Sequence, residues 1–127
     1  MGIESYEVGK SWEDQILDAY HKRGYATIKL GTEIDGTVAD ILCIKNNKVI
    51  TIEAKHIKSS RLYYKASGLR RKRDELDNYC DKGNCVLIFI KSDVDGQFLI
   101  SWLKAKEIFN ERKYITIKDG IKIRIGD

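Results

Sequence analysis

The chain reads as an α/β protein, a β-sheet flanked by helices. Three observations predict this: two segments carry apolar residues at helical spacing, β-branched runs lie between and after them, and Gly, Asn and Asp punctuate the boundaries. The order is helix, strands, helix, strands, without internal repeats or low-complexity segments. With 127 residues, 43% hydrophobic and 33% charged, the chain should form a single domain over 1–127 that buries a core without disulfides.

Taken in order, Trp12, Ile16, Ala19 and Tyr20 place a first helix from Ser11 to about Arg23, with Ser11 as cap and Gly24 as stop. Tyr25 to Leu30 reads as a strand, and Gly31 to Gly36 as a loop. Asp40 to Lys55 then holds two apolar-rich runs around Asn46-Asn47. Asn tolerates the left-handed backbone of a tight hairpin turn, so these runs are expected to be paired strands. A second helix is expected from about Ser67 to Asp81, with Gly83 ending it. Cys85 to Ile90 is almost continuously apolar, as in a strand buried on both faces. Asp95-Gly96 turns the chain into a strand Phe98 to Leu103, and a short helix follows around Lys104 to Phe109. Tyr114 to Lys118 and Ile121 to Ile125 are expected to close the chain as a β-hairpin. A three-residue loop with Gly120 at its bulge would pair Ile117 with Ile121 and Ile115 with Ile123.

The first hairpin carries the chemistry. With Asn46-Asn47 as the loop, Lys45 pairs with Lys48, Leu42 with Thr51, and Asp40 with Glu53, whose Cβ atoms would lie about 4.5 to 5.5 Å apart. Side chains alternate along a strand, so Thr51, Glu53 and Lys55 share one face while Ile50, Ile52 and Ala54 point into the core. Opposed carboxylates repel unless one takes a proton or a cation lies between them. Oxygen-only ligation suits Mg²⁺, which takes one or two carboxylates and completes its shell with water and phosphate oxygens. Lys55 could then stabilise charge on a scissile phosphate or orient the attacking water. These are the parts of phosphodiester hydrolysis.

Asp40 followed by Glu53-Ala54-Lys55 resembles the PD-(D/E)xK nuclease signature, with Ala39 in place of the proline, which supplies no ligand. The order Gly9, Glu13, Gly24-Tyr25-Ala26-Thr27-Ile28, Asp40-Ile41-Leu42 and Ile52-Glu53-Ala54-Lys55 resembles the archaeal-type Holliday-junction resolvases over roughly the first half of the chain. That resemblance implies a restriction-endonuclease-like mixed sheet, with Glu13, Asp40 and Glu53 as metal ligands and Lys55 as the catalytic lysine. It further implies a Mg²⁺-dependent homodimer, with Mn²⁺ able to substitute, that makes paired nicks across a four-way DNA junction and leaves 5′-phosphate and 3′-hydroxyl ends. Thr32 is the candidate for the hydroxyl such resolvases tend to carry after the first strand. The C-terminal half departs from the family, which generally finishes helically. The alternatives are another nicking or branched-DNA endonuclease on the same fold and, from a different class, a non-catalytic DNA-binding repair accessory.

Lys58, Arg61, Lys65, Arg70, Arg71, Lys72 and Arg73 form the densest positive segment, interleaved with Tyr63 and Tyr64. Such a run is often only a solvated surface; its place straight after the catalytic strand favours contacts to the DNA backbone. The tyrosines could stack on unpaired bases or pack beneath the loop. Glu13 has a plainer reading too, as an exposed acid near a positive helix N-terminus. His56 alternates away from Lys55, and no Cys or His cluster has zinc spacing.

The formal net charge of +4 supports nucleic-acid binding only weakly by itself. Cys43, Cys80 and Cys85 are neither an even set nor a Cys-x-x-Cys pair, so free thiols are expected. Neither a secretory signal nor a membrane span is evident, and a cytoplasmic, reducing interior is the expected location.

Overall fold

The computed structural model describes residues 11–30 and 40–125. Gly9, the expected loop from Gly31 to Gly36, Thr32 within it, and Ala39 lie outside the described residues. Along the chain the elements are α1 (Trp12–Lys22), β1 (Ala26–Lys29), β2 (Ile41–Lys45), β3 (Lys48–Ile57), β4 (Leu62–Tyr63), α2 (Arg73–Asp81), β5 (Cys85–Ser92), β6 (Gly96–Ser101), α3 (Trp102–Phe109), β7 (Tyr114–Ile115), a 3₁₀ turn (Ile117–Asp119) and β8 (Ile121–Lys122). A six-stranded mixed sheet runs β1-β2-β3-β5-β6-β8, and β4 and β7 form a separate two-stranded ribbon. Only the β3–β5 pair in the large sheet is parallel, so the chain must cross over between them, through β4 and α2.

Local chemistry sets these boundaries. The Ser11 side chain accepts a hydrogen bond from the Asp14 N–H at 3.1 Å, and Gly24, at φ +90°, takes the chain out of α1. Asn46 and Asn47 both have positive φ, 50° and 67°, the requirement of a two-residue hairpin turn that follows strand twist. β5 separates two cores. Val86, Ile88 and Ile90 face α2 and α3 with Leu62, Leu69, Leu76, Trp102 and Ile115, whereas Phe89 faces α1 with Trp12, Ile16, Tyr20, Ile41 and Ile52. The Trp12 indole N–H donates to the Phe89 carbonyl at 2.9 Å, which ties α1 to the middle of the sheet.

Three expectations need correction. The second helix begins at Arg73, not Ser67, because Gly68 at φ +87° interrupts a series of turns in which Lys65, Arg70 and Arg71 lie. The strand expected to reach Leu103 stops at Ser101, whose side chain accepts from the Lys104 N–H and caps α3 from Trp102 onward. The C-terminal hairpin does not form. Asp119 accepts from the Thr116 N–H at 2.7 Å and from Arg112, which closes a 3₁₀ turn; β7 then pairs with β4 and β8 with β6, setting Ile115 against Leu62 and Ile121 against Leu99. Local capping and better partners elsewhere outweigh the alternating isoleucines.

Candidate active site

The β2–β3 ladder pairs Ile41 with Ile52 and Leu42 with Thr51, and continuing it one step sets Asp40 against Glu53. Asp40 stands just before β2 and is held by its backbone: its N–H donates to the Ile52 carbonyl at 3.0 Å and its carbonyl accepts from Leu30 at 2.8 Å. Its carboxylate accepts a further hydrogen bond from the Ala54 N–H at 2.8 Å. The acid is therefore oriented by the main chain of the strand that carries Glu53 and Lys55.

Glu53 is fully buried. Both its carboxylate oxygens accept from Lys72 Nζ, at 3.0 and 2.9 Å, and Lys55 Nζ lies 3.4 Å from one of them. Burial pushes the Glu53 carboxyl up from the ordinary glutamate range, and the nearby charge of Asp40 adds to this; Lys55 and Lys72 pull the other way. Lys55 also donates to the Ser67 carbonyl at 2.7 Å, which fixes its ammonium group beside the acid pair. Two carboxylates and two ammonium groups thus form one compact site on the face of the sheet opposite α1.

Glu13 takes another position. It lies on α1, and its carboxylate pairs with Lys29 at 3.5 Å, as does the neighbouring Asp14 at 3.2 Å. Among the described residues no three Asp, Glu, His or Cys side chains gather closely enough to hold a metal ion by themselves. Asp40 and Glu53 nevertheless suit a hard divalent cation. They are an opposed, oxygen-only pair, one of them destabilised as an anion, and Mg²⁺ draws its remaining ligands from water and phosphate.

The basic segment divides by burial. Lys58, Arg61, Lys65, Arg70 and Arg71 are exposed, whereas Lys72 is engaged with Glu53 and Arg73 reaches the Tyr64 hydroxyl at 3.4 Å. Tyr64 is stacked on Phe109, with ring centroids 4.5 Å apart, and so is a packing residue. Tyr63 is 42% exposed. His56 is exposed on the other strand face, its Nε2 2.7 Å from Asp93. Sequence reasoning missed the roles of Lys72 and Ser67 in this site. A buried glutamate demands a cation, yet nothing in the run Arg70 to Arg73 marks Lys72 as the one that turns inward.

No curated protein matches the chain. Among solved structures, the fold resembles Hjc of Archaeoglobus fulgidus, a Holliday junction resolvase from an archaeal hyperthermophile, with a TM-score of 0.64 and 18% identity over 87% of this chain and 91% of that one. The sequence model of the archaeal Holliday junction resolvases (Hjc) matches residues 4–124, nearly the whole length. The chain belongs to the archaeal Holliday junction resolvase family.

Proposed function

We propose that the protein is a Mg²⁺-dependent endonuclease that resolves four-way DNA junctions as a homodimer, each protomer cutting one strand. The observation that carries the chemistry is Asp40 standing opposite Glu53 with Lys55 Nζ 3.4 Å from the Glu53 carboxylate. Mg²⁺, or Mn²⁺ in its place, would be held by Asp40 and Glu53 together with substrate phosphate oxygens, and Glu13 would join them only by leaving its pairing with Lys29. When bound, it would polarise the scissile phosphate and make a nearby water more acidic.

The chain's own residues supply the rest. The Ala54 N–H keeps the Asp40 carboxylate turned toward the site, and the Ser67 carbonyl keeps Lys55 pointed beside it. From there the Lys55 ammonium group donates to a phosphate oxygen as negative charge builds up on it. A water oxygen bonds to phosphorus and gives up one proton to solvent, the bond from phosphorus to O3′ breaks, and O3′ takes up one proton from solvent, so that the step balances. The products are a 5′-phosphate and a 3′-hydroxyl. The Thr32 hydroxyl assists in positioning. Lys58, Arg61, Lys65, Arg70 and Arg71 hold the DNA backbone through charge.

The test is cleavage of four-way junction, flap, nicked and linear duplex DNA with Mg²⁺, by wild type, Asp40→Asn and Glu53→Gln. Junction cutting that disappears in both variants supports the reading. Cutting that survives both substitutions would sink the acid-pair mechanism; equal cutting of linear duplex would sink junction selectivity. Binding without cleavage by wild type would point to an accessory role.

A further inference from the structure

Beside the acid pair lies a cleft of about 320 Å³, with Lys55 and Ser67 on one side and Arg61, Tyr63 and Ala66 among its other walls. Its outer wall is built on the β4–β7 ribbon, where Leu62 pairs with Ile115 and Tyr63 with Tyr114. Leu62 and Ile115 are buried in the core, so the ribbon is anchored from below and presents its tyrosines outward. The rings of Tyr63 and Tyr114 lie 5.7 Å apart.

Arg61 is arranged with unusual care for an exposed cation. Its guanidinium lies 4.3 Å from the centre of the Tyr114 ring, and its backbone N–H and carbonyl both bond to the Ser59 hydroxyl, at 3.3 and 3.1 Å. Arg112 also lies over Tyr114, at 5.3 Å, but its charge is taken by Asp119. Arg61 has no carboxylate partner among the described residues. An arginine fixed by aromatic stacking, without an acid, at the edge of a cleft that begins at a phosphate-activating lysine, is a preorganised anion site.

We propose that this cleft seats a single unpaired nucleotide next to the scissile phosphate, with its phosphate on Arg61 and its base against the exposed face of Tyr63. A cleft of this volume matches one small ligand rather than a duplex, and its flat aromatic wall stacks on any base. This rests on the reading of the chain as a junction nuclease, and gives that reading a physical means of selecting branched DNA. At a branch point a base leaves the stack cheaply; in uninterrupted duplex the same base must first be unpaired and unstacked.

The experiment uses DNA carrying 2-aminopurine, in a metal chelator so that no cutting occurs. One substrate is a four-way junction labelled at the branch point, one a short single-stranded oligonucleotide, and one a fully paired duplex. Wild type should quench the label in the first two. Tyr63→Ala should abolish the quench and weaken oligonucleotide binding roughly 5- to 100-fold, the range carried by stacking of one base. Tyr63→Trp should retain both, and Arg61→Ala should weaken binding and lower the salt slope by about one phosphate contact. Thermal midpoints of the variants check folding, and Tyr63→Leu keeps bulk without a flat π-face. Quenching unchanged in Tyr63→Ala and Tyr63→Leu overturns the site, as does an equal loss on paired duplex. Tyr63-dependent quenching by a protein that fails to cut junctions sustains this site and removes the resolvase reading instead.

Discussion

Lys72 holds Glu53 by both carboxylate oxygens, at 3.0 and 2.9 Å, across a separation of 19 residues in the chain. The glutamate is completely buried, so this lysine, together with Lys55, is what makes an anion tolerable there. The pair links fold to chemistry. Any cation that binds Glu53 must share or replace the position that Lys72 occupies.

Replacing Lys72 by Met should therefore produce a pH-dependent loss of stability. The Glu53 carboxyl is already raised by burial and by Asp40, and losing an ammonium group raises it further. A carboxyl raised in the folded state contributes stability that is complete below the ordinary glutamate range and is lost as pH climbs through the folded value. Lys72→Met should cost about 2 kcal/mol at pH 8 and much less near pH 4. Urea unfolding at the two pH values measures this, and an equal loss at both would refute the role given to Lys72.

Glu53→Gln should separate stability from activity. Glutamine mimics the uncharged acid, which burial already favours, so the variant should be at least as stable as wild type at pH 8. Its junction cleavage should fall roughly 10³-fold, the scale of the several kcal/mol of charge stabilisation expected from a metal ligand. A marked drop in the urea midpoint at pH 8 would show instead that the carboxylate holds the site together.

Much of this arrangement can be read from local residue chemistry. Asn46-Asn47 dictates the turn, the turn dictates the register, and the register brings Asp40 to Glu53; each step depends on residues within one hairpin. The same logic misplaces the C-terminus, where the isoleucine pattern is correct for strands but silent about partners. β7 and β8 belong to different sheets, and only long-range packing on Leu62 and Leu99 decides that. Lys72 was illegible for a related reason. Composition places it with its basic neighbours, while the break at Gly68 and the demand of a buried acid turn it inward.

That division of the basic run has a consequence for DNA affinity. Within the stretch Arg70 to Arg73, Arg70 and Arg71 are exposed and form no ion pair among the described residues, so of these four they are the two available to phosphates. A protein with both changed to alanine should bind DNA more weakly and show a slope of log affinity against log salt smaller by up to roughly 2. Its thermal midpoint should remain that of wild type. Titration at several salt concentrations tests this, and an unchanged slope would remove these arginines from the interface.

Thr51 exposes a small inefficiency on the same strand face. Its hydroxyl oxygen is buried with no hydrogen-bond partner among the described residues, and the ladder sets it between Leu42 and Val86. Thr51→Val removes the unsatisfied group with little change of shape and should stabilise the fold by about 1 kcal/mol. A denaturation midpoint at or below that of wild type would mean the hydroxyl is satisfied in solution.

Gly120 tests the wiring of the C-terminus. Its φ of −119° is open to any residue, so conformation does not require glycine here. Space does: a Cβ would stand 2.5 Å from the Leu99 carbonyl oxygen and 3.1 Å from the Phe98 ring. The contact with Leu99 is backbone and cannot rotate away, so Gly120→Ala must push β8 off β6 or shift the edge of the sheet. A loss of about 1 to 3 kcal/mol is expected from such overpacking. The Ile123 N–H, which donates to the Gln97 carbonyl at 3.0 Å, should exchange with solvent faster in the variant. If β8 paired with β7 as a hairpin, Gly120 would lie in an open turn, and alanine there would leave the stability and the exchange rate of the Ile123 N–H unchanged.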